Sequence, residues 1–400
     1  MSDTRAQSTP LWFALFAVTL VQGIATFASL ILAATAPVVA ADIGVPVEFV
    51  GFQIALVYTG ASLISTVAGF LLRRWGPGRV SQISLVLCGA GVALMAVPSV
   101  PVIAFGALLL GFGYGMTNPS GADILMRITP AHRRNMVYSI KQTGIPLGGM
   151  LAGFVAPPIA EVYGWQTTPL IGAGACLLVA LALQPWRRGW DTARDPGARF
   201  DSTAFSAMTI IWRIPALRWM GLAGFNYAFI QLAISTFTVT ILVTEAQFSL
   251  IAAGAVLAAV QAAGVIGRVV WGWFADRRGI GDQLLIAMGV TNVAGALTMI
   301  AIGPGWPVWV IYAFFVAFAA SAYSWTGIFM TSTVNRAPPE QAGAATGGMG
   351  APVYAGVIFG TAALSVLADV MGSVSSAFSI VALLAAVGTL ALIQARRVGR

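Results

Sequence analysis

Few residues in this chain can do chemistry, and Arg268 is the most informative of them. It stands eight residues before Asp276, which opens the charged run Asp276, Arg277, Arg278. In a helix that spacing is about 12 Å at about 1.5 Å per residue. If the charged run marks a membrane surface, the guanidinium lies toward the middle of an apolar layer roughly 30 Å thick. A charge at such depth costs at least about 2.5 kcal/mol unless water, a partner or a ligand compensates it. Gln261, seven residues earlier, falls on the same helix face, and Gly264 leaves room there. That face suits a carboxylate or similar anion, gripped by the planar fork of arginine donors. The competing reading has Arg268 donating to neighbouring carbonyls or pairing inside a cytoplasmic gate.

Three other charged or titratable groups need a reading. Asp123 is the one acid well inside an apolar run and invites a proton-relay role. It sits nine residues from Tyr114, about 180° around the helix from the face that Tyr114 shares with Asn118. Its i+4 neighbour is Arg127, so a local ion pair or gate contact is the other reading. Lys141, the only lysine, is a few residues into its run. It either snorkels to the surface or adds positive potential that attracts an anion at the cytoplasmic mouth. His132, in the stretch AHRR, reads as a solvated side chain. The remaining polar groups near the middles of runs are Gln22, Tyr58, Tyr114, Asn118, Tyr227, Gln231, Tyr323 and Tyr354. Each is either a ligand contact or a hydrogen bond between packed helices.

The absences narrow the chemistry. The sequence holds no phosphate-binding loop, no HExxH pair and no Ser, His and acid set, and it has a single histidine. Cys88 and Cys176 each lie inside an apolar run, which suggests neither a disulfide framework nor a thiolate metal site. No cofactor and no metal are expected, and transport driven by ATP has no support. Any work must draw on a gradient, with the proton as one candidate coupling ion.

These side chains must be positioned by membrane helices. Of the 400 residues 58% are hydrophobic and 8% charged, against roughly a quarter charged in soluble domains. With a mean hydropathy of +0.87, a water-soluble globular fold is excluded. Apolar runs near 11–36, 49–72, 80–97, 102–126, 137–160 and 168–184 form one set of six. Runs near 219–243, 250–274, 284–302, 308–332, 343–367 and 375–394 form a second. All must be helical, because lipid cannot satisfy an open backbone. The net charge of +8 gives no reason to invoke nucleic acid, since the basic residues fall in alternate gaps. Arg73, Arg74 and Arg79, then Arg127, Arg133 and Arg134, then Arg277 and Arg278, and Arg396, Arg397 and Arg400 mark one side. The opposite gaps carry Asp42, Glu48, Glu161, Glu245 and Asp369 and no basic residue. Both termini are therefore expected on the cytoplasmic side of the cell (inner) membrane. Ala34, Thr35 and Ala36 resemble a signal-peptide cleavage site, but the first run is too long for a signal core.

A repeat organises the spans. GFLLRRWG between Gly69 and Gly76 returns as GWFADRRG between Gly272 and Gly279, and Thr143, Gly144, Ala152 and Gly153 return as Thr346, Gly347, Ala355 and Gly356. Both pairs share one offset, 203 positions (272 less 69; 346 less 143). The chain therefore divides into an amino-terminal six-helix bundle (1–185), a polar cytoplasmic linker (186–218) containing Arg187, Arg188, Arg194, Arg199, Arg213 and Arg218, and a carboxy-terminal bundle (219–400). Two pseudo-symmetric bundles are the expected architecture of a transporter that works by alternating access. Gly144, Gly148, Gly149 and Gly153 suit close helix approach in the fifth span.

The repeated GWFADRRG resembles the signature of the major facilitator superfamily, and the likeness extends over essentially the whole chain. It implies an all-α polytopic fold of twelve transmembrane helices, a monomer, and a latch at the cytoplasmic side made by Asp276 and Arg277 between Gly272 and Gly279. Arg73 stands where the first copy of the motif would carry an acid, so an equivalent latch in the amino-terminal half is not implied. SIKQTGIPLGG and GRVVWGWFADRRG are similar to bacterial permeases of the cyanate and small organic-anion type. In the superfamily's anion transporters an arginine at the place of Arg268 engages the anion. LLLGFGYG lacks the arginine common in drug exporters. The expected partners are a small anionic substrate, probed through Arg268, and the lipid bilayer. The alternatives are an exporter of neutral or cationic amphiphiles, and a membrane receptor or enzyme on the same scaffold.

Overall fold

A computed structural model of the chain describes residues 10–130, 134–198, 211–338, 345 and 348–399. Of the residues singled out above, His132, Arg133, Arg199, Thr346, Gly347, Arg400 and the side chain of Arg134 lie outside the described set. The described residues are helical with no strand, an all-α polytopic fold.

Among the described residues, ten helices are long and apolar enough to cross a membrane. In order they are Leu11–Ile43, Val47–Ser65, Pro77–Leu94, Val100–Ile128 and Ile140–Tyr163 (spans one to five), Pro215–Thr244 and Leu250–Arg278 (seven and eight), Val308–Val334 (ten), and Gly350–Met371 and Val374–Val398 (eleven and twelve). Span six is a bent pair, Thr167–Ala182 and Gln184–Trp190, turned by 55°. Gly281–Met299, interrupted by Asp282 and Asn292, fills the ninth place. Ten helices, or eleven with the bent pair, are thus candidate spans among the described residues, and three further departures from straight helices follow. Span five breaks at Thr143 between Arg134–Gln142 and Gly144–Tyr163. Span ten breaks between Val308–Ala322 and Trp325–Val334. After Ser65, the basic motif of the first half forms a separate short helix, Ala68–Trp75.

The ends of these helices follow local chemistry. Span eight opens on Ser249, whose hydroxyl accepts from the Ala252 amide at 3.2 Å. It closes on Gly279 at φ +61°, a left-handed residue that the GWFADRRG spacing places just past the last basic turn. Span three opens on Gly76 at φ +86°, and a Cβ there would collide with the Asp191 side chain. Two carboxylates from distant segments cap helix starts. Asp191 accepts from the Gly78 amide at 2.7 Å, and Glu245 accepts from the Val374 and Ser375 amides at 2.6 and 3.1 Å. Each meets orphan donors at the positive end of a helix.

The chain forms two compact units that interleave along the sequence. The first draws on Met1–Ile31, Leu56–Gly149 and Tyr163–Asp201, and its core is built on contacts without intervening side chains. A Cβ on Gly111 of span four would overlap the Val57 carbonyl and lie 3.0 Å from Gly60 Cα in span two. On Gly148 of span five it would overlap the Gly23 carbonyl of span one, and on Gly91 of span three it would meet span four. Small residues let these backbones approach where no hydrophobic force separates helix from lipid. The second unit draws on Leu32–Ala55, Met150–Val162 and Ser202–Arg400. It is packed around span seven, which is buried along nearly its whole length. Glycines again mark its close approaches, Gly356 and Gly360 against Phe225 and Phe229 of span seven and Gly153 against Gly254 of span eight.

Candidate functional site

In the first unit, polar side chains from spans one, four and five meet. Thr117 donates from its hydroxyl to Gln22 Oε1 at 3.1 Å, and both residues are 2% exposed. Tyr58 and Tyr114 stack at a tilt, ring centroids 5.7 Å apart. Lys141 is 1% exposed and does not snorkel. Its ammonium turns inward, donating to both Oδ1 and the backbone carbonyl of Asn118. Asn118 itself is exposed. Gly121 makes this possible, because a Cβ there would lie 3.2 Å from Lys141 Cε and 3.3 Å from Val18. Sequence position left Lys141 either snorkelling or adding potential at the cytoplasmic mouth; the structure turns it inward onto Asn118 of span four. Position along a run does not show which way a side chain turns.

Asp123 and Arg127 form an ion pair, Oδ2 to Nη2 at 2.7 Å, one turn apart on span four. Both side chains are about a third exposed, and the pair belongs to a different face from Tyr114 and Asn118.

In the second unit, Arg268 is half-buried and donates from Nε to the Tyr323 carbonyl at 2.9 Å. Tyr323 stands at the break in span ten, where the helical ladder does not continue smoothly and a carbonyl can accept from outside. Its hydroxyl pairs with Ser235 of span seven, which also accepts from Gln261 Nε2 at 3.4 Å. Gly264 fits against the Tyr323 ring, with Cβ distances of 2.9 to 3.0 Å, so the room expected beside Arg268 is filled by that tyrosine. Gln231 accepts from the Trp325 indole at 2.9 Å. Tyr227 is 1% exposed and donates to the Leu285 carbonyl at 2.6 Å, a helix-packing bond. Tyr354 is part-buried on span eleven.

At the end of span eight, Asp276, Arg277, Arg278 and Gly279 are exposed. Arg277 lies over the Trp273 ring at 5.2 Å and Arg278 over Phe274 at 5.5 Å. Nearby, Asp282 at the head of the ninth helix holds Arg336 after span ten, Oδ2 to Nη2 at 2.5 Å, with Ser332 donating to Oδ1 at 2.8 Å. Sequence reasoning missed this pair, although Ser332 and Arg336 are spaced one helical turn apart. Ser235, Thr117 and Trp325 were also missed; Ser235 lies one turn beyond Gln231 and could have been found from that spacing.

Among the described residues no group of three or more His, Cys, Asp and Glu side chains could hold a metal ion.

An all-α polytopic chain with basic and neutral polar side chains set inside membrane helices, and no catalytic set, has the build of a membrane transporter. The family model "Major Facilitator Superfamily" matches residues 11–360, and the chain belongs to that superfamily. It is 25% identical over 123 residues to the "Probable anion transporter 6, chloroplastic" of Arabidopsis thaliana, covering 29% of this chain and 24% of that one. It is 26% identical over 152 residues to a 4-hydroxybenzoate transporter of Pseudomonas putida, covering 38% and 34%. These matches span between about a quarter and about a third of the relatives' own lengths. The crystal structure of a mutant of the nucleoside transporter NupG superimposes with a TM-score of 0.79 at 14% identity, over 96% of this chain and 99% of that one, a likeness of fold.

Proposed function

We propose that the protein is a secondary transporter of a small organic anion, a carboxylate being the first candidate, working by alternating access between an amino-terminal bundle (1–185) and a carboxy-terminal bundle (219–400). The carrying observation is the charge balance inside the helices. Lys141 in one unit and Arg268 in the other are basic groups set among neutral hydrogen-bonding side chains, while Asp123 is engaged by Arg127. A cation kept at such depth favours an anionic partner. The relatives described as anion and 4-hydroxybenzoate transporters support the same chemistry.

In this reading Arg268 is the principal counter-charge. Its Nε bond to Tyr323 fixes the plane of the guanidinium, and Gln261 and Ser235 support Tyr323 from behind. Asn118, Gln22, Tyr58 and Tyr114 supply neutral contacts in the first unit, with Gln231, Tyr323 and Tyr354 as those of the second, while Tyr227 is spent on its bond to the Leu285 carbonyl. Asp276, Arg277, Gly272 and Gly279, and the pair Asp123 and Arg127, belong to gating at the cytoplasmic side. The protein lies in the cell membrane with both termini cytoplasmic and acts as a monomer, and the proton is the proposed coupling ion.

Purified protein should gain thermal stability with carboxylates, 4-hydroxybenzoate among them, and not with neutral sugars, since a ligand that binds only the folded state stabilises it. In proteoliposomes, Arg268→Gln should reduce uptake of the stabilising anion by at least about tenfold, the loss of one charge-assisted contact worth about 1.4 kcal/mol or more. Undiminished uptake by a correctly inserted variant would remove Arg268 from the mechanism.

A further inference from the structure

Lys141 poses a physical problem that anion binding alone does not resolve. Its ammonium lies within a membrane span, 1% exposed, and its acceptors among the described residues are the two oxygens of Asn118. Among the described residues no carboxylate accepts from it. Span one carries no ionisable side chain from Leu11 to Ala41. Span four offers Tyr114, which stacks on Tyr58, and Asp123 and Arg127, which pair with each other. Asp123 is five residues beyond Asn118, about 140° around the helix. On its own segment the Tyr138 hydroxyl donates to the Ala122 carbonyl at 3.0 Å. Neutral oxygens solvate an ammonium but do not cancel its charge, and an uncompensated buried charge is costly.

Two events remove that cost: the proton leaves, or an anion arrives. They are linked, because whatever stabilises the charged form also favours taking up the proton, and the reverse holds equally. We propose that Lys141 is the group at which proton and anion movement are coupled, a neutral amine in the empty transporter and an ammonium when an anion is bound. This rests on the anion reading above and adds to it the identity of the coupling group.

The step balances. The Nζ lone pair accepts one proton from the aqueous phase as one carboxylate enters, giving Lys–NH3+ and its carboxylate as a neutral pair. Release of the anion on the other side returns the proton to water and leaves the amine hydrogen-bonded to Asn118. Because Asn118 is exposed while Lys141 is not, the amide is the element through which an incoming anion first senses the amine. Rotation of that one side chain withdraws Oδ1 from the ammonium and turns the Nδ2–H donors toward the anion.

The chain makes the test direct, since Lys141 is its only lysine. Protein carrying 13Cε-labelled lysine, in nanodiscs, gives a single resonance whose position distinguishes amine from ammonium. The empty protein should show the amine at a pH where an exposed lysine, with its ordinary value of about 10.4, is still the ammonium. An ammonium signal that persists to about pH 10 would overturn the proposal while leaving the anion reading in place. At a pH where the amine is neutral, each carboxylate that stabilises the protein in the thermal screen should return the signal toward ammonium; binding without that return also overturns it. If no carboxylate binds, the anion reading fails and the coupling fails with it. Lys141→Arg, which keeps the charge but cannot release its proton, should lose accumulation driven by a pH gradient to a greater degree than it loses counterflow of the stabilising carboxylate. Retained pH-driven accumulation in that variant would overturn the proposal.

Discussion

Asp191 shows how much a single carboxylate can be asked to do. It is 8% exposed, accepts from the Gly78 and Arg79 amides, and stands against Gly76 at the start of span three. Burial raises its carboxyl above the usual aspartate range, and the two amide bonds with the nearby charges of Arg187 and Arg194 offset only part of that. A carboxyl raised on folding holds its proton more tightly in the folded state. Its stabilising contribution is therefore complete below the ordinary value of 3.8 and is lost as pH rises through the raised value. Asp191→Asn cannot ionise, so its thermal midpoint relative to the native protein should rise as pH rises above the ordinary value of 3.8. A relative midpoint that falls as pH rises would mean that the amide bonds, not burial, dominate. Nothing in the sequence singled out this residue, because it lies in a polar stretch read as a linker. The half-burial of Arg268 was legible, since depth can be counted along an unbroken span from Asp276, and its bond to the Tyr323 carbonyl matches the competing reading of donation to a neighbouring carbonyl. The inward turn of Lys141 was not, because the break at Thr143 and the space at Gly121 are properties of packing.

At the level of helices, breaks and bare backbones do most of the positioning. The interruption of span ten leaves the Tyr323 carbonyl for Arg268, and that of span five follows Lys141 by two residues. The apolar runs predicted helices correctly because lipid admits no other backbone there, but a run of hydrophobic residues carries no mark of where its helix kinks. The glycines were more readable. Those of span five were expected at close approaches, and Gly144 and Gly148 do meet span one, where Cβ atoms would lie 2.6 Å from the Thr19 carbonyl or overlap that of Gly23. Gly111→Ala should therefore lower stability by about 1 to 3 kcal/mol through overpacking against Val57, read as a lower thermal midpoint in detergent. Gly174→Ala, with open space around the added methyl, should change it little. Equal losses in both would show that helix propensity or expression, not the contact, sets the outcome.

For the whole molecule, membrane orientation rests on charge. Basic gaps alternate with gaps holding acids alone, a pattern readable from sequence because insertion itself responds to it. Cys88 and Cys176 are the only thiols and are both buried, so new cysteines report accessibility against a quiet background. Trp75→Cys should react with an impermeant maleimide only in inverted vesicles, and Val162→Cys only in intact cells. The opposite assignment would reverse the topology. The six-helix repeat remains an expectation carried by the two anchors at one offset, and Thr346 and Gly347 of the second anchor lie outside the described residues.

The enclosure of the chain's one ε-amine also makes it a reporter. An acylating reagent can modify Lys141 only when the amine is both reached and deprotonated, so the rate at which purified protein is modified reports access to that one position. Followed with and without a transported solute, that rate would show whether the solute opens the position or shields it.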